Sequence, residues 1–253
     1  MINTESDLNK IRDLIQRDLT NPLYLKILSK SKMIRSRLAL LYSYSFNEQI
    51  DDKIYQLCAA TEIIHNASLL HDDVMDCAEE RRGEASVRKE YSDKLSVMLG
   101  DYFVSLAIEK LLKLNNFEIL KIYQECIKNM ADAEINQYFL RGNLICENEY
   151  LEICKKKTGL LFGSLLESIA ILINQDSFKA RDFGEKFGIY FQLQNDKETF
   201  SASEDKKNKI YTLQDIIGIE KENILSDNLK RELFIFSESF PKNILKQGLK
   251  DII

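Results

Sequence analysis

The chain is poor in residues that break helices. Its 253 residues include 9 glycines, 2 prolines and no tryptophan. Both prolines, Pro22 and Pro241, lie near the ends, and neither Gly nor Pro falls between residues 23 and 82. A strand-rich fold needs turn residues every ~8–12 positions, so this scarcity argues for long helices joined by short polar links. Positive charge is not in excess either: the net charge is −5, which offers no basic footprint for nucleic acid. No apolar run reaches the roughly 18 residues of a membrane span. The N-terminal stretch "MINTESDLNKIRDLIQRDL" is charged throughout and has no signal-peptide core. The cysteines Cys58, Cys77, Cys126, Cys146 and Cys154 lack CxxC or metal-type spacing and read as reduced thiols of a cytoplasmic protein.

What is present is helical periodicity, over residues 7–19, 23–44, 48–76, 92–113, 116–140, 147–174, 177–200 and 228–239. This is an all-α pattern, and the length suits one large domain or two small ones. The stretch "LLHDDVMDCAEERRG" at 69–83 carries the chemistry. On a helix Asp72 and Asp76 share a face one turn apart, with Asp73 beside them. Such carboxylates either solvate a surface or hold a cation. As ligands they suit Mg2+, which takes one or two carboxylates with water and phosphate oxygens. They do not suit zinc, because His65 and His71 lie on different faces of the helix. Arg81 and Arg82 follow, and guanidinium groups grip phosphate in bidentate fashion. Toward the N-terminus the Asp72 face continues through Ser68, flanked by Ala67, then Ile64 and Thr61. This small, mostly apolar stripe is either a helix-packing surface or a slot for an apolar tail.

Further motifs share an order along the chain. "DDVMD" with "RRG" resembles the first aspartate-rich motif of the trans-isoprenyl diphosphate synthases (polyprenyl synthetases). "SKSKMIRSRLALL" is similar to that family's GGKRLRP segment, "LGDYFVSLA" to GDYLLA, "AEINQ" to GExxQ, "KKTG" to its Lys-Thr pair, and "GIYFQLQND" to GxAFQLxDD. The resemblance implies an isoprenoid-synthase-type helical bundle around a central cavity, one domain over 1–253, and a homodimer, for which "YFVSLAIEKLLKL" offers a dimer face. It implies that Lys32, Arg35, His65 and Arg82 hold isopentenyl diphosphate, while Arg81, Lys157 and Thr158 serve the allylic diphosphate and Gln192 is a further substrate-binding residue. Asp72, Asp73, Asp76, Asn195 and Asp196 would hold Mg2+, and Lys209 or Lys207 would supply a further diphosphate cation. Asp72, Asp76, Arg81 and Lys157 would carry catalysis, and Ile64, Ala67 and Ser68 would govern chain length, with a deeper stop such as Phe139. Small residues at 67 and 68 imply a long-chain polyprenyl product for quinone tails, whose release would touch the membrane surface.

Two departures stand out. Ser31 and Ser36 occupy places that are glycine or proline in the family. The second motif reads "NDKET", with Asn195 and Thr199 where aspartates are expected. A class I terpene cyclase is a rival, since Asn195 and Thr199 fit its metal motif, but Glu204 is one residue out of place and a cyclase needs no isopentenyl site. A non-catalytic subunit that tunes an active partner is the other rival.

Overall fold

The computed structural model describes residues 4–17, 19, 21–29, 31–46, 49–199 and 210–252. They group into two compact units, Met1–Leu120 and Lys121–Ile253. Among the described residues the only extended pairing is a two-stranded hairpin, so the chain is all-α.

The first unit contains α1 (Glu5–Gln16), α2 (Pro22–Ser29), α3 (Ile34–Tyr44), α4 (Asp52–Met75), a hairpin of β1 (Glu80–Arg81) and β2 (Glu84–Ala85), α5 (Val87–Glu90) and α6 (Asp93–Leu112). Helix α4 is apolar on nearly every side, from Ile54 to Leu70. A helix without a polar face must sit at the centre, and α1, α3 and α6 pack around it. Its start is capped by Asp51, whose side chain accepts from the Lys53 N–H at 2.7 Å. Helix α1 is pinned by buried Asp7, which accepts from the hydroxyls of Tyr44 at 2.7 Å and Tyr55 at 2.6 Å. On the α6 side Gly100 leaves room for the His71 ring, where a Cβ would come within 2.3 Å of Nε2. That close approach accounts for the glycine of "LGDYF".

The periodicity predicts one helix over 23–44, and the structure divides it. Residues 31–33 leave the helix and Met33 adopts a left-handed conformation, φ 51°. The cause is distant in sequence: Glu62 of α4 accepts from Ser31 Oγ (3.0 Å), Ser36 N (3.2 Å) and Ser36 Oγ (2.8 Å).

Helix α7 (Phe117–Leu140) leads into the second unit, which continues with α8 (Glu147–Cys154), a π-helical turn (Lys155–Gly159), α9 (Leu160–Leu172), α10 (Ser177–Thr199), α11 (Leu213–Ile217), α12 (Ile219–Glu238) and α13 (Ile244–Ile252). Residues Leu160–Ala170 of α9 are buried on all sides, which makes α9 the central helix here. The helix expected over 228–239 is longer than its pattern, and Gly218 at φ 82° separates it from α11.

Glu222 of α12 is 1% exposed, and its Oε2 has no hydrogen-bond partner. Burial raises its pKa above 4.5; Lys197 opposes the shift, and Asp196 and Asp215 add to it. The native state therefore keeps this proton to higher pH than the unfolded chain does. Stability is greatest below the ordinary carboxylate pKa and falls as pH rises through the raised value. Glu222→Gln should stabilise the protein at neutral pH by about 1–2 kcal/mol and flatten that pH slope. Urea denaturation across the acid-to-neutral range checks both.

Candidate active site

The acidic residues sit at the C-terminal end of α4, where the last carbonyls concentrate partial negative charge. No basic residue lies in the last turn. Three carboxylates there are costly unless a cation arrives, and the structure divides the task. Asp73 is 2% exposed and accepts from Arg81 Nε at 2.7 Å and from Nη2 in a shorter contact. Asp72 and Asp76 are half-buried and one turn apart, joined by the Asp76 N–H to Asp72 C=O bond of 2.8 Å. Asp73, expected with its two neighbours as a metal ligand, is engaged by the Arg81 guanidinium through Oδ1.

Mg2+ fits Asp72 and Asp76 on donor chemistry: two hard carboxylates, accessible, in a negative field. Among the described residues no three Asp, Glu, His or Cys side chains gather closely enough to enclose a metal alone. The pair therefore suits an ion that completes its shell with water and phosphate oxygens.

The hairpin turns tightly at Arg82 and Gly83, both in the left-handed region (φ 55° and 77°), as a two-residue primed turn requires. Its base is closed by Ser86, which donates from Oγ to Ala78 C=O at 2.6 Å and from N to Glu79 C=O at 2.9 Å. Arg35 is 8% exposed in the first turn of α3, and Lys32 is exposed just before it. His65 of α4 lies within the field of both segments. Burial, then Arg35, Arg82 and Arg81, hold its pKa well below 6.5, so the imidazole is neutral at physiological pH. Burial also lowers the pKa of Arg82, with Glu62 opposing. Arg81 and Arg82 line one cavity with Asp73, and the charges of Arg35, Arg82 and Arg81 all act on the His65 ring. Glu62, which fastens the segment carrying Lys32 and Arg35, leaves no trace in the sequence beyond the paired serines it binds.

The proposed slot face is tightly packed. Thr61 and Ala67 are fully buried, Ile64 nearly so, and only Ser68 is half-buried, its Oγ donating to the His65 carbonyl at 2.9 Å. A cavity of about 70 Å³ lies on another face of α4, lined among others by Asn66, Leu69, Asp73, Arg82 and Val87. Phe139, expected as a deeper stop, is 74% exposed and packs edge-on against Tyr138.

In the second unit the π turn carries the "KKKTG" segment within a continuous helix, an irregularity frequent at functional sites. Lys157 Nζ reaches Gln137 Oε1 at 2.6 Å and Glu134 Oε1 at 2.8 Å. Thr158 Oγ1 donates to Gln192 Oε1 at 2.9 Å, and Gln192 Nε2 donates to Asp196 Oδ1 at 2.8 Å. Tyr150 OH donates to Asp196 Oδ2. This approach of the π turn to α10 depends on glycine: a Cβ on Gly188 would lie 2.5 Å from Gly159 Cα. Asp196 is 8% exposed; burial raises its pKa, opposed by Tyr150, Gln192 and Lys157. Asn195 beside it is half-buried. The Thr199 side chain and residues 200–209, with Glu204, Lys207 and Lys209, lie outside the described residues. Sequence reasoning did not assign Glu134, Gln137 or Tyr150 a role. "AEINQ" was visible as a motif, whereas Tyr150 had no signal.

The sequence model of the Polyprenyl synthetase family matches residues 16–219. The chain belongs to the polyprenyl synthetase family. Among curated members, a prenyl transferase of Cyanidium caldarium is 30% identical over 218 residues, covering 84% of this chain and 68% of that protein. A decaprenyl-diphosphate synthase of Dictyostelium discoideum is 29% identical, covering 78% of this chain and 43% of its own length. The chain thus aligns with between 43% and 68% of the length of these two synthetases. The heptaprenyl diphosphate synthase structure from Staphylococcus aureus superposes with a TM-score of 0.92 at 21% identity, covering 99% of this chain and 96% of that one. It shares the all-α isoprenoid-synthase fold.

Proposed function

We propose that this polyprenyl synthetase is a trans-prenyltransferase that condenses isopentenyl diphosphate with an allylic diphosphate, farnesyl or similar, to make a long-chain all-trans polyprenyl diphosphate. The observation that carries the reading is the cavity lined by Arg81, Arg82 and Asp73 next to Asp72 and Asp76, with Arg35 acting on the neighbouring His65. Guanidinium groups so placed repel one another, and a diphosphate relieves that repulsion while accepting bidentate bonds. A class I cyclase has no use for such a pocket.

Asp72 and Asp76 would hold Mg2+, which when bound supplies Lewis-acid neutralisation of the leaving diphosphate. Arg35, His65 and Arg82, with Lys32, orient the isopentenyl diphosphate, His65 donating from a neutral ring. Arg81, fixed by Asp73, and Lys157, fixed by Glu134 and Gln137, present preorganised positive charge to the allylic diphosphate. Alignment of the two substrates and exclusion of water do the rest. We further propose action as a single domain and as a homodimer in the cytoplasm, with membrane contact at product release and quinone tails as the use. The α6 face bearing exposed Met98, Tyr102, Ile108 and Leu112 suits the dimer contact.

The deciding experiment incubates the purified chain with Mg2+, farnesyl diphosphate and labelled isopentenyl diphosphate, followed by chromatography. Labelled long-chain products are expected. Cyclic hydrocarbon formed without isopentenyl diphosphate would establish the cyclase, and turnover only after a second chain is added would establish the subunit.

Product length is tested at Ser68 rather than Ala67. Ala67 is fully buried, and a phenylalanine there would overpack the core at a cost of about 1–3 kcal/mol. Ser68→Phe should fold normally and shift the products to shorter chains. An unchanged length distribution would remove Ser68 from the chain-length role.

A further inference from the structure

We propose that Asp196 is a positioning residue and not a metal ligand: anchored by Tyr150, it fixes the amide of Gln192, which fixes the hydroxyl of Thr158. The inference rests on the prenyltransferase reading and concerns only residues of the second unit. Both oxygens of the Asp196 carboxylate are engaged inside the protein, Oδ2 by the Tyr150 hydroxyl and Oδ1 by Gln192 Nε2 at 2.8 Å. Tyr150 and Asp196 are both buried, and Cys154, one turn beyond Tyr150, is buried beside them. Each oxygen already accepts a hydrogen bond from inside the protein and the residue is 8% exposed, which leaves little open space on it for a hydrated divalent ion.

The hydrogen-bond chain has a single polarity. A carboxylate only accepts, so Gln192 must turn its NH2 toward Asp196. Its carbonyl oxygen then faces Thr158 and takes the threonine proton at 2.9 Å. With that proton committed, the Thr158 hydroxyl is held in one rotamer, in the π turn that also carries Lys157. Helical spacing makes the chain possible. Gln192 and Asp196 are one turn apart on α10, and α8 places Tyr150 at the far end. The family motif's second aspartate is kept in this chain while its first and last are Asn195 and Thr199.

The test compares wild type, Asp196→Asn, the near-isosteric Tyr150→Phe and the double variant by two readouts. One is a calorimetric titration of Mg2+ into protein with inorganic pyrophosphate. The other is steady-state turnover of farnesyl and isopentenyl diphosphates. Mg2+ stoichiometry should be unchanged and affinity within about twofold in every variant, whereas kcat should fall about tenfold or more in both single variants. The double variant should be little worse than Asp196→Asn, because both substitutions cut one chain. Loss of a bound Mg2+ in Asp196→Asn, affinity weakened about fivefold or more, or a Tyr150→Phe enzyme with more than about half of wild-type kcat would overturn the proposal. Should wild type bind Mg2+ and pyrophosphate yet turn over nothing, the prenyltransferase reading falls, and the titration alone still decides the role of Asp196.

Discussion

Asp72→Asn and Asp76→Asn should each lower kcat/KM by about 10³-fold, close to 4 kcal/mol of transition-state stabilisation. Asparagine keeps the size and one oxygen of the side chain and removes the charge. Both positions are half-buried at the end of α4, so neither change empties the core and circular dichroism should be unaltered. The effect should appear as weaker Mg2+ dependence, with higher metal concentrations restoring part of the rate. Asp73→Asn supplies the contrast. Its carboxylate is buried and holds Arg81, so its loss should loosen the hairpin and lower thermal stability while leaving the metal titration close to wild type. If all three variants shifted the metal titration equally, the division of labour between Asp73 and its two neighbours would be wrong. If Asp72→Asn and Asp76→Asn both kept activity within about tenfold of wild type, the metal role would be lost.

Local pattern in the sequence was enough for the helices and for the order of the motifs, because helical periodicity and motif spacing are properties of neighbouring residues. What stayed hidden depends on partners far away in the chain. The break at 31–33 cannot be read from "SKSKMIRS", since it is imposed by a glutamate on α4 that takes both serines. The split of "DDVMD" into two accessible carboxylates and one buried partner of Arg81 follows from helix geometry plus a hairpin that the composition does not announce. Its turn places a non-glycine residue, Arg82, at positive φ. The stripe of small residues was legible, but its packing was not: Ala67 is sealed while Ser68 beside it is not. Departures from the motif were visible as missing charge, whereas the contact of Tyr150 with Asp196 required α8 to meet α10.

Lys157→Ala should reduce kcat by about 10²–10³-fold, the loss expected when one preorganised donor to a developing negative charge is removed. The prediction is sharpened by its neighbour. Among the described residues Lys156 pairs with exposed Asp132 at 3.8 Å and Glu152 at 3.7 Å, and such long pairs contribute about 0–1 kcal/mol. Lys156→Ala should therefore be close to wild type in both rate and stability. The two adjacent lysines of the π turn differ in their partners: Lys157 closes on Glu134 and Gln137 at 2.8 and 2.6 Å, whereas the pairs of Lys156 are at 3.8 and 3.7 Å. Lys157→Arg should recover only part of the rate, since a planar guanidinium cannot take the place of a compact ammonium between a carboxylate and an amide. Removing the cradle instead, with Glu134→Gln, leaves the charge in place but less well oriented, and should cost less than Lys157→Ala. Steady-state kinetics with the allylic diphosphate varied would separate these cases. Lys157→Ala should act mainly on kcat, because positive charge aimed at the departing diphosphate counts most where the negative charge grows. Equal losses in Lys156→Ala and Lys157→Ala would mean that the π turn presents net charge and no particular donor.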